Sequence, residues 1–437
     1  MIGKFRDLNY LYIVKIIIDK LFTGDRPVTR SNGTSNYTIR YFLDMQNFDG
    51  LTALHYAAFR GNLDIIKYLT IKGANPLIKD KDGQNVIHIA AQGGRVSIIH
   101  YFLENFTFDI NDQDWRHSTA LHWAAYLNKE ITLSYLIAWG ANINAFDIEG
   151  NTPLHLAVVS SEIVKDTRCA KILLLKGAWR DIRNYNGHRP ADLVKSGTTE
   201  RELRSILKKP KYCTCLMLKL PPTKVKKSPS TAIFFVFLLL SLAGGFFWFI
   251  FPEVKEKFPY ELIGFLTSVL LLILTFLLAT FKDPGYLKQD KTMDFQELIN
   301  TVDPCNICPD CKVIRTPRSR HCNICNRCVE RFDHHWPYLN NCIGYRNHIY
   351  FLGYVILLVI NLAAHACFVA YTLSLDFPEK PINRDNIGMV VYSVYSLVIC
   401  GLFLPLVFFL TWIHSMNFCK YFILHFIFIS MTLNLGK

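Results

Sequence analysis

Two nearly uninterrupted apolar runs, Ala232 to Phe251 and Leu262 to Phe281, constrain this chain more than anything else in it. Each is about 20 residues long, enough for a helix to cross roughly 30 Å of hydrocarbon. A helix is also the form in which a lone apolar segment satisfies its own backbone there. Two further runs, near Phe351 to Leu373 and Gly388 to Ile413, follow a cysteine-rich stretch and are separated by the polar segment Asp376 to Asn386. The expected membrane half is therefore a four-span α-helical domain. Pro252 to Tyr260 reads as a hairpin turn between the first two spans, and a shorter apolar stretch, Phe418 to Ile429, reads as interfacial or as a fifth crossing.

Ahead of Ala232 the chain is polar, and 437 residues exceed what one compact core holds. The net charge of +13 raises nucleic acid as a partner. The basic residues gather beside apolar runs, however, where an anionic bilayer surface is the simpler partner, and no nucleic-acid role is expected. Arg201 to Lys227 holds nine Lys or Arg residues with Pro210, Pro221 and Pro222, a basic tether directly before the first span. By the positive-inside rule the tether and everything before it are cytosolic. An even count of spans returns 282–346 and the C-terminus to that side. Thirteen cysteines without a clear signal peptide read as reduced cytosolic thiols rather than disulfides. Cys213 and Cys215 suit lipidation near the bilayer as well as they suit free thiols. The run Tyr10 to Phe22, broken by Lys15, Asp19 and Lys20, reads as a helix and not a leader.

The polar half repeats itself. Leu54-His55-Tyr56-Ala57-Ala58 recurs as Ile87-His88-Ile89-Ala90-Ala91, Leu121-His122-Trp123-Ala124-Ala125 and Leu154-His155-Leu156-Ala157, the histidines 33, 34 and 33 residues apart. With closings such as Lys72-Gly73-Ala74-Asn75 and Trp139-Gly140-Ala141-Asn142, this resembles the ankyrin repeat. The resemblance implies an all-α solenoid over 49–200, each unit a turn and two short antiparallel helices, with faces such as Ile65, Ile66, Tyr68 and Leu69 buried only by stacking. Extra residues fall around Val159 to Asp166, and a partial closing unit spans Asn186 to Val194. The repeat histidines read as structural ties between turns. The array offers a concave surface and turn tips to protein ligands or substrates.

Between Cys305 and Cys342 the chain reads CNICPDCKVIRTPRSRHCNICNRCVERFDHHWPYLNNC. Overlapping Cys-x-x-Cys pairs with His-Cys and His-His neighbours, in a segment too short for its own core, call for structural zinc. A nucleic-acid zinc finger would share the spacing, but this segment is pinned between spans and lacks a recognition helix.

Arg315 to Cys322, Asp333-His334-His335, Asn341-Cys342-Ile343-Gly344 with Asn347 and Phe351, and Asp283-Pro284-Gly285 after the second span together resemble the DHHC protein S-acyltransferases. With the repeats in front, the chain is similar to the huntingtin-interacting ankyrin-repeat palmitoyltransferases over about Asp49 to Ile413. The resemblance implies two Zn2+ sites, one on Cys308, Cys311, His321 and Cys328, the other on Cys322, Cys325, His335 and Cys342, leaving Cys305 spare. It further implies long-chain acyl-CoA, palmitoyl-CoA in particular, as substrate and a Golgi or other endomembrane location. The corresponding division is an N-terminal segment 1–48, repeats 49–200, basic linker 201–231, spans 232–281, zinc domain 282–348, spans 349–413 and tail 414–437.

Family members transfer the acyl chain through a cysteine thiolate that the preceding Asp-His pair activates. Here Asp333 and His334 are present, but the nucleophile position holds Trp336, whose indole donates a hydrogen bond and forms no thioester. The family's Pro-Trp is Pro337-Tyr338, and its Thr-Thr-x-Glu element is missing from the tail. The leading expectation is a weak or inactive pseudoenzyme acting as a membrane-bound ankyrin scaffold. The alternative is an active palmitoyltransferase whose cysteine is obscured by a sequence error or supplied by another thiol.

Overall fold

The computed structural model describes residues 41–208, 227–289, 293–376, 387–403 and 405. The expectations for Tyr10 to Phe22, Cys213 and Cys215, the stretch Phe418 to Ile429 and the tail lie outside these residues. The chain divides into two units, Met1–Val225 with Lys288–Arg315, and Lys226–Leu287 with Thr316–Lys437.

In the first unit four helix pairs follow one another: α1 (Ala53–Arg60) and α2 (Leu63–Ile71), α3 (Val86–Gly93) and α4 (Val96–Asn105), α5 (Ala120–Tyr126) and α6 (Glu130–Ala138), α7 (Pro153–Val164) and α8 (Arg168–Lys176). Each first helix starts the same way. Thr52, Asn85, Thr119 and Thr152 sit at the N-cap, and the histidine three residues on accepts the cap's backbone N–H through Nδ1, at 3.1 to 3.3 Å. That acceptor role puts the ring proton on Nε2. From there His122 donates to the Asn151 carbonyl and His155 to the His188 carbonyl, at 3.2 and 3.1 Å. The histidine thus caps its own helix and ties it to the next turn.

The turns are held by Asp80, Asp114 and Asp147, each accepting two backbone N–H groups of its own turn through one carboxylate oxygen. A backbone ladder then joins turn to turn, through Lys81 to Asp49, Trp115 to Asp82, Ile148 to Arg116 and Tyr185 to Glu149. Leu54, Ala58, Ile66, Ile87, Ile99, Leu121 and Leu154 lie in one continuous core. The extra residues near Val159 lengthen α7 to 12 residues, and Lys165 turns the chain in the left-handed region at φ 58. Asp166 then accepts from Arg168, whose hydrogen bond holds the carboxyl at about 2. The array closes with a 3-10 turn, Pro190–Leu193, and α9 (Glu200–Leu207), which buries Leu203, Ile206 and Leu207 and leaves its charged face outward.

The second unit opens with α10 (Ser230–Gly245), a π turn at Phe246–Ile250 and α11 (Phe251–Lys257), one continuous 28-residue helix whose apolar 18-residue stretch has a mean hydropathy of 2.5. Pro252 has no N–H to give and its ring crowds the preceding turn. The wider π turn absorbs this, with Phe251 N–H bonding the Phe246 carbonyl. The link expected over Pro252 to Tyr260 is consequently mostly helix. Phe258 alone breaks it, at φ −132 and ψ 56, before α12 (Pro259–Phe281). A residue preceding proline avoids the helical region, and proline suits the first helical position.

The chain then supplies α13 (Phe295–Thr301), the hairpin β1 (Ile307–Cys308) with β2 (Val313–Ile314), the hairpin β3 (Arg320–Cys322) with β4 (Arg327–Val329), and the hairpin β5 (His334–Trp336) with β6 (Asn341–Ile343), all antiparallel. It continues into α14 (His348–Asp376) and α15 (Ile387–Phe403). Three helices are long and apolar enough to cross a membrane, and α15 is a shorter apolar one among the described residues. Phe234, Phe237, Leu240, Trp248, Leu270 and Leu274 point outward on these helices, which suits lipid and not water. Inside, Leu272, Tyr354, Leu358 and Leu362 form the packing. Two buried polar pairs cross between these helices, Ser268 to Asn361 at 2.9 Å and His365 to Ser396 at 2.7 Å.

Candidate functional site

The hairpins assemble the cysteines. In each Cys-x-x-Cys turn the next residue, Lys312 or Asn326, takes a left-handed conformation and bonds back to the carbonyl of the first cysteine, at 2.8 and 2.7 Å. Strand pairing then sets His321 opposite Cys328 and His335 opposite Cys342. As a result Cys308, Cys311, His321 and Cys328 form one group, and Cys322, Cys325, His335 and Cys342 another, with the donor atoms of each within 4.8 Å of one another.

In the second group Nδ1 of His335 lies 3.4 Å from Cys325 Sγ, 3.7 Å from Cys342 Sγ and 3.9 Å from Cys322 Sγ. Donors around a tetrahedral zinc with Zn–S near 2.3 Å stand about 3.5 to 3.8 Å apart, so the spacing fits that ion. The protonation pattern agrees. Hydrogen bonds from Cys322 and Cys342 drive the Cys325 thiol far below its ordinary range, while those with Cys322 and Cys325 drive Cys342 far above it. Three cysteine sulfurs and an imidazole this close form a natural cage for a divalent cation. The Tyr286 hydroxyl hydrogen-bonds Cys325 from outside the cage. Cys305 stands outside both groups, exposed, and its hydrogen bond to Asp303 raises the thiol above its usual range.

The β5–β6 hairpin also carries the Asp-His pair. Asp333 Oδ2 lies 3.3 Å from His334 Nδ1 and 3.8 Å from His348 Nε2, so one carboxylate faces two imidazoles. His334 meets Trp336 edge-on with centroids 5.3 Å apart and Phe351 in the same way at 5.5 Å. Trp336 packs on Phe351 at 5.2 Å and on Tyr338 at 5.8 Å, and Tyr338 reaches Phe235 of α10 at 5.1 Å. The indole is half-buried and occupies the space beside the imidazole. Among the described thiols outside the two groups, Cys169 is buried and pushed up to about 12, and Cys367 and Cys400 lie within α14 and α15.

The hairpin is fastened to the helix ends. The Asn341 amide donates to the carbonyls of Ala279, Thr280 and Lys282, which the end of α12 leaves unpaired. Asn347 donates to Cys342 and Ala279, and its oxygen accepts from Gly344. Gly344 must be glycine, since a Cβ there would fall 2.5 Å from the Pro284 carbonyl. Asp283 caps the following turn by accepting from Gly285 and Tyr286, with Gly285 at φ 102. His348 and Tyr286 escaped the sequence reading, although each directly follows a recognised motif, Asn347 in one case and Asp-Pro-Gly in the other.

A family model described as DHHC palmitoyltransferase matches residues 301–433, and one described as ankyrin repeats (3 copies) matches 11–114, 62–147 and 87–186. The chain thus joins ankyrin repeats to a domain that matches the DHHC palmitoyltransferases. It is 29% identical to palmitoyltransferase Hip14 of Drosophila melanogaster over 399 residues, 74% of this chain and 62% of that protein. It is 26% identical to palmitoyltransferase ZDHHC17 of Homo sapiens, over 73% of this chain and 59% of that one. Palmitoyltransferase ZDHHC5-B of Danio rerio is 33% identical over 40% of this chain and 28% of its own length. The chain spans about three fifths of the length of the relatives it matches over most of its own. In this DHHC domain the two cysteine-histidine groups can hold metal ions, and the aspartate-histidine pair abuts an indole.

Proposed function

We propose that this family member is a membrane-bound ankyrin scaffold with little or no acyl transfer of its own. The observation that carries the reading is Trp336, seated on β5 against His334 where the family places its nucleophilic cysteine. In an active member a thiolate attacks the acyl-CoA carbonyl, coenzyme A leaves as its thiol, and the resulting thioester passes to a substrate cysteine. Asp333 and His334 retain the orienting and proton-accepting roles, but an indole supplies no electron pair for that attack. Two Zn2+ ions on the eight ligands keep the hairpins folded. The repeats recruit protein partners, to which a cavity of about 380 Å3 lined by Arg116, Trp123, Tyr126 and Glu149 contributes. The repeats, zinc domain and C-terminus face the cytosol, at a Golgi or other endomembrane.

The test is acyl-enzyme formation by the full chain with a labelled long-chain acyl-CoA, beside a Trp336→Cys variant and before and after hydroxylamine. Label on the variant alone, removed by hydroxylamine, is the expected result. Hydroxylamine-sensitive label on the native chain would mean that another thiol, such as exposed Cys305, is the nucleophile, and would overturn the reading.

A further inference from the structure

The outer face of the ankyrin array is occupied by the chain itself. α13 buries Phe295, Leu298 and Ile299 in one apolar cluster with Val96 of α4 and Tyr135 of α6, and Ile307 of β1 completes it. The polar atoms at its edge are matched. His100 Nδ1 and Gln296 Oε1 are 2.5 Å apart, Gln296 also donates to the Ser97 carbonyl, and the Tyr135 hydroxyl donates to the Pro304 carbonyl at 3.1 Å. From α8, Lys176 meets both Asp310 carboxylate oxygens at 2.6 and 2.7 Å. Three successive repeats therefore grip one short segment.

That segment could not order itself. A seven-residue helix is well below the length at which an isolated helix is stable, and a two-residue hairpin has no core. Yet the segment carries Cys308 and Cys311, two donors of the first cysteine-histidine group, with Asp310 between them. We propose that the outer face of α4, α6 and α8 is a built-in dock that holds the Cys308–Cys311 knuckle in its ligating conformation, so that metal retention there and folding of the array are thermodynamically linked. Binding that requires a folded segment stabilises whatever holds it, and the linkage runs in both directions. This goes beyond the scaffold reading and does not depend on the residue at position 336.

The test uses the full chain in lipid nanodiscs, loaded with zinc. Zinc release to a chromophoric chelator and hydrogen exchange of the helices are followed for the native chain, for Leu298→Asp in the docked segment, and for Tyr135→Phe, which removes only the hydroxyl and keeps the array's packing. Leu298→Asp is expected to speed the loss of one of the two zinc ions by about tenfold or more, the scale on which outer supports of a metal site act. The other ion should be unaffected. Amides of α4 and α6 should lose protection while those of α1 and α2 keep it, and Tyr135→Phe should move both readouts the same way by less. In Cys308→Ser, without the metal's hold on the knuckle, α4 and α6 should again lose protection. Native-like zinc release from a Leu298→Asp chain whose α13 amides have lost protection would overturn the linkage, as would unchanged α4 and α6 protection in Cys308→Ser.

Discussion

At position 336 one side chain decides what the β5–β6 hairpin can do. That an indole follows the Asp-His-His run was legible in the sequence. Its packing was not, because Phe351 lies on a helix and Phe235 about a hundred positions earlier, and no pattern in the chain announces that these rings meet His334 and Tyr338. Were the family's acyl-binding role retained here, the same ring would plug the space beside His334. Trp336→Ala should then raise affinity for a non-hydrolysable long-chain acyl-CoA several-fold, while costing about 1–3 kcal/mol of local stability for a half-buried aromatic. Titration calorimetry in detergent checks this, and an unchanged affinity would remove the plug while leaving the proposed loss of acyl transfer untouched. Trp336→Phe should sit between the two, because it keeps an aromatic contact with Phe351.

At the scale of the element, the repeat motif was readable because it is local: an N-cap and a histidine three residues on, repeated every 33 or 34 positions. What the sequence did not show is how deeply each imidazole is committed. Burial pulls His55 down to about 4 from its ordinary 6.5 and pushes His88, His122 and His155 the same way. Between those two values the unfolded chain binds the proton that the folded chain refuses. The contribution of His55 is therefore whole above pH 6.5 and is lost as the pH falls toward 4, at a total of up to about 3 kcal/mol. Protonation would also abolish the Nδ1 acceptor that caps each helix. Hydrogen exchange of α1, α3, α5 and α7, corrected for intrinsic rates, should show protection declining from pH 6.5 to 4.5. A flat profile over that window would mean that the rings accommodate the charge.

Across the whole molecule, the sequence motifs and the packing partition the chain differently. The cysteine-rich stretch reads as continuous over 282–348, whereas contacts group Lys288–Arg315 with the repeats and Thr316 onward with the apolar helices. The difference is physical: Phe295, Leu298 and Ile299 find apolar partners in Val96 and Tyr135, far upstream in the repeats, a pairing that periodicity cannot reveal. Each unit has a core of its own, so a change inside one core is read first in the helices of that unit. Asn341 offers a way to perturb one of them, since its single amide serves three carbonyls at the end of α12 and joins the hairpin to that helix. Asn341→Ala leaves those carbonyls without their donor, at a cost of about 1–3 kcal/mol, and touches nothing in the repeats. Thermal unfolding followed by hydrogen exchange should show α12 and α14 losing protection at lower temperature in the variant, with α1 to α8 unchanged. If the repeats shift by the same amount, the two units unfold together, and the division seen in the contacts is not a division in stability.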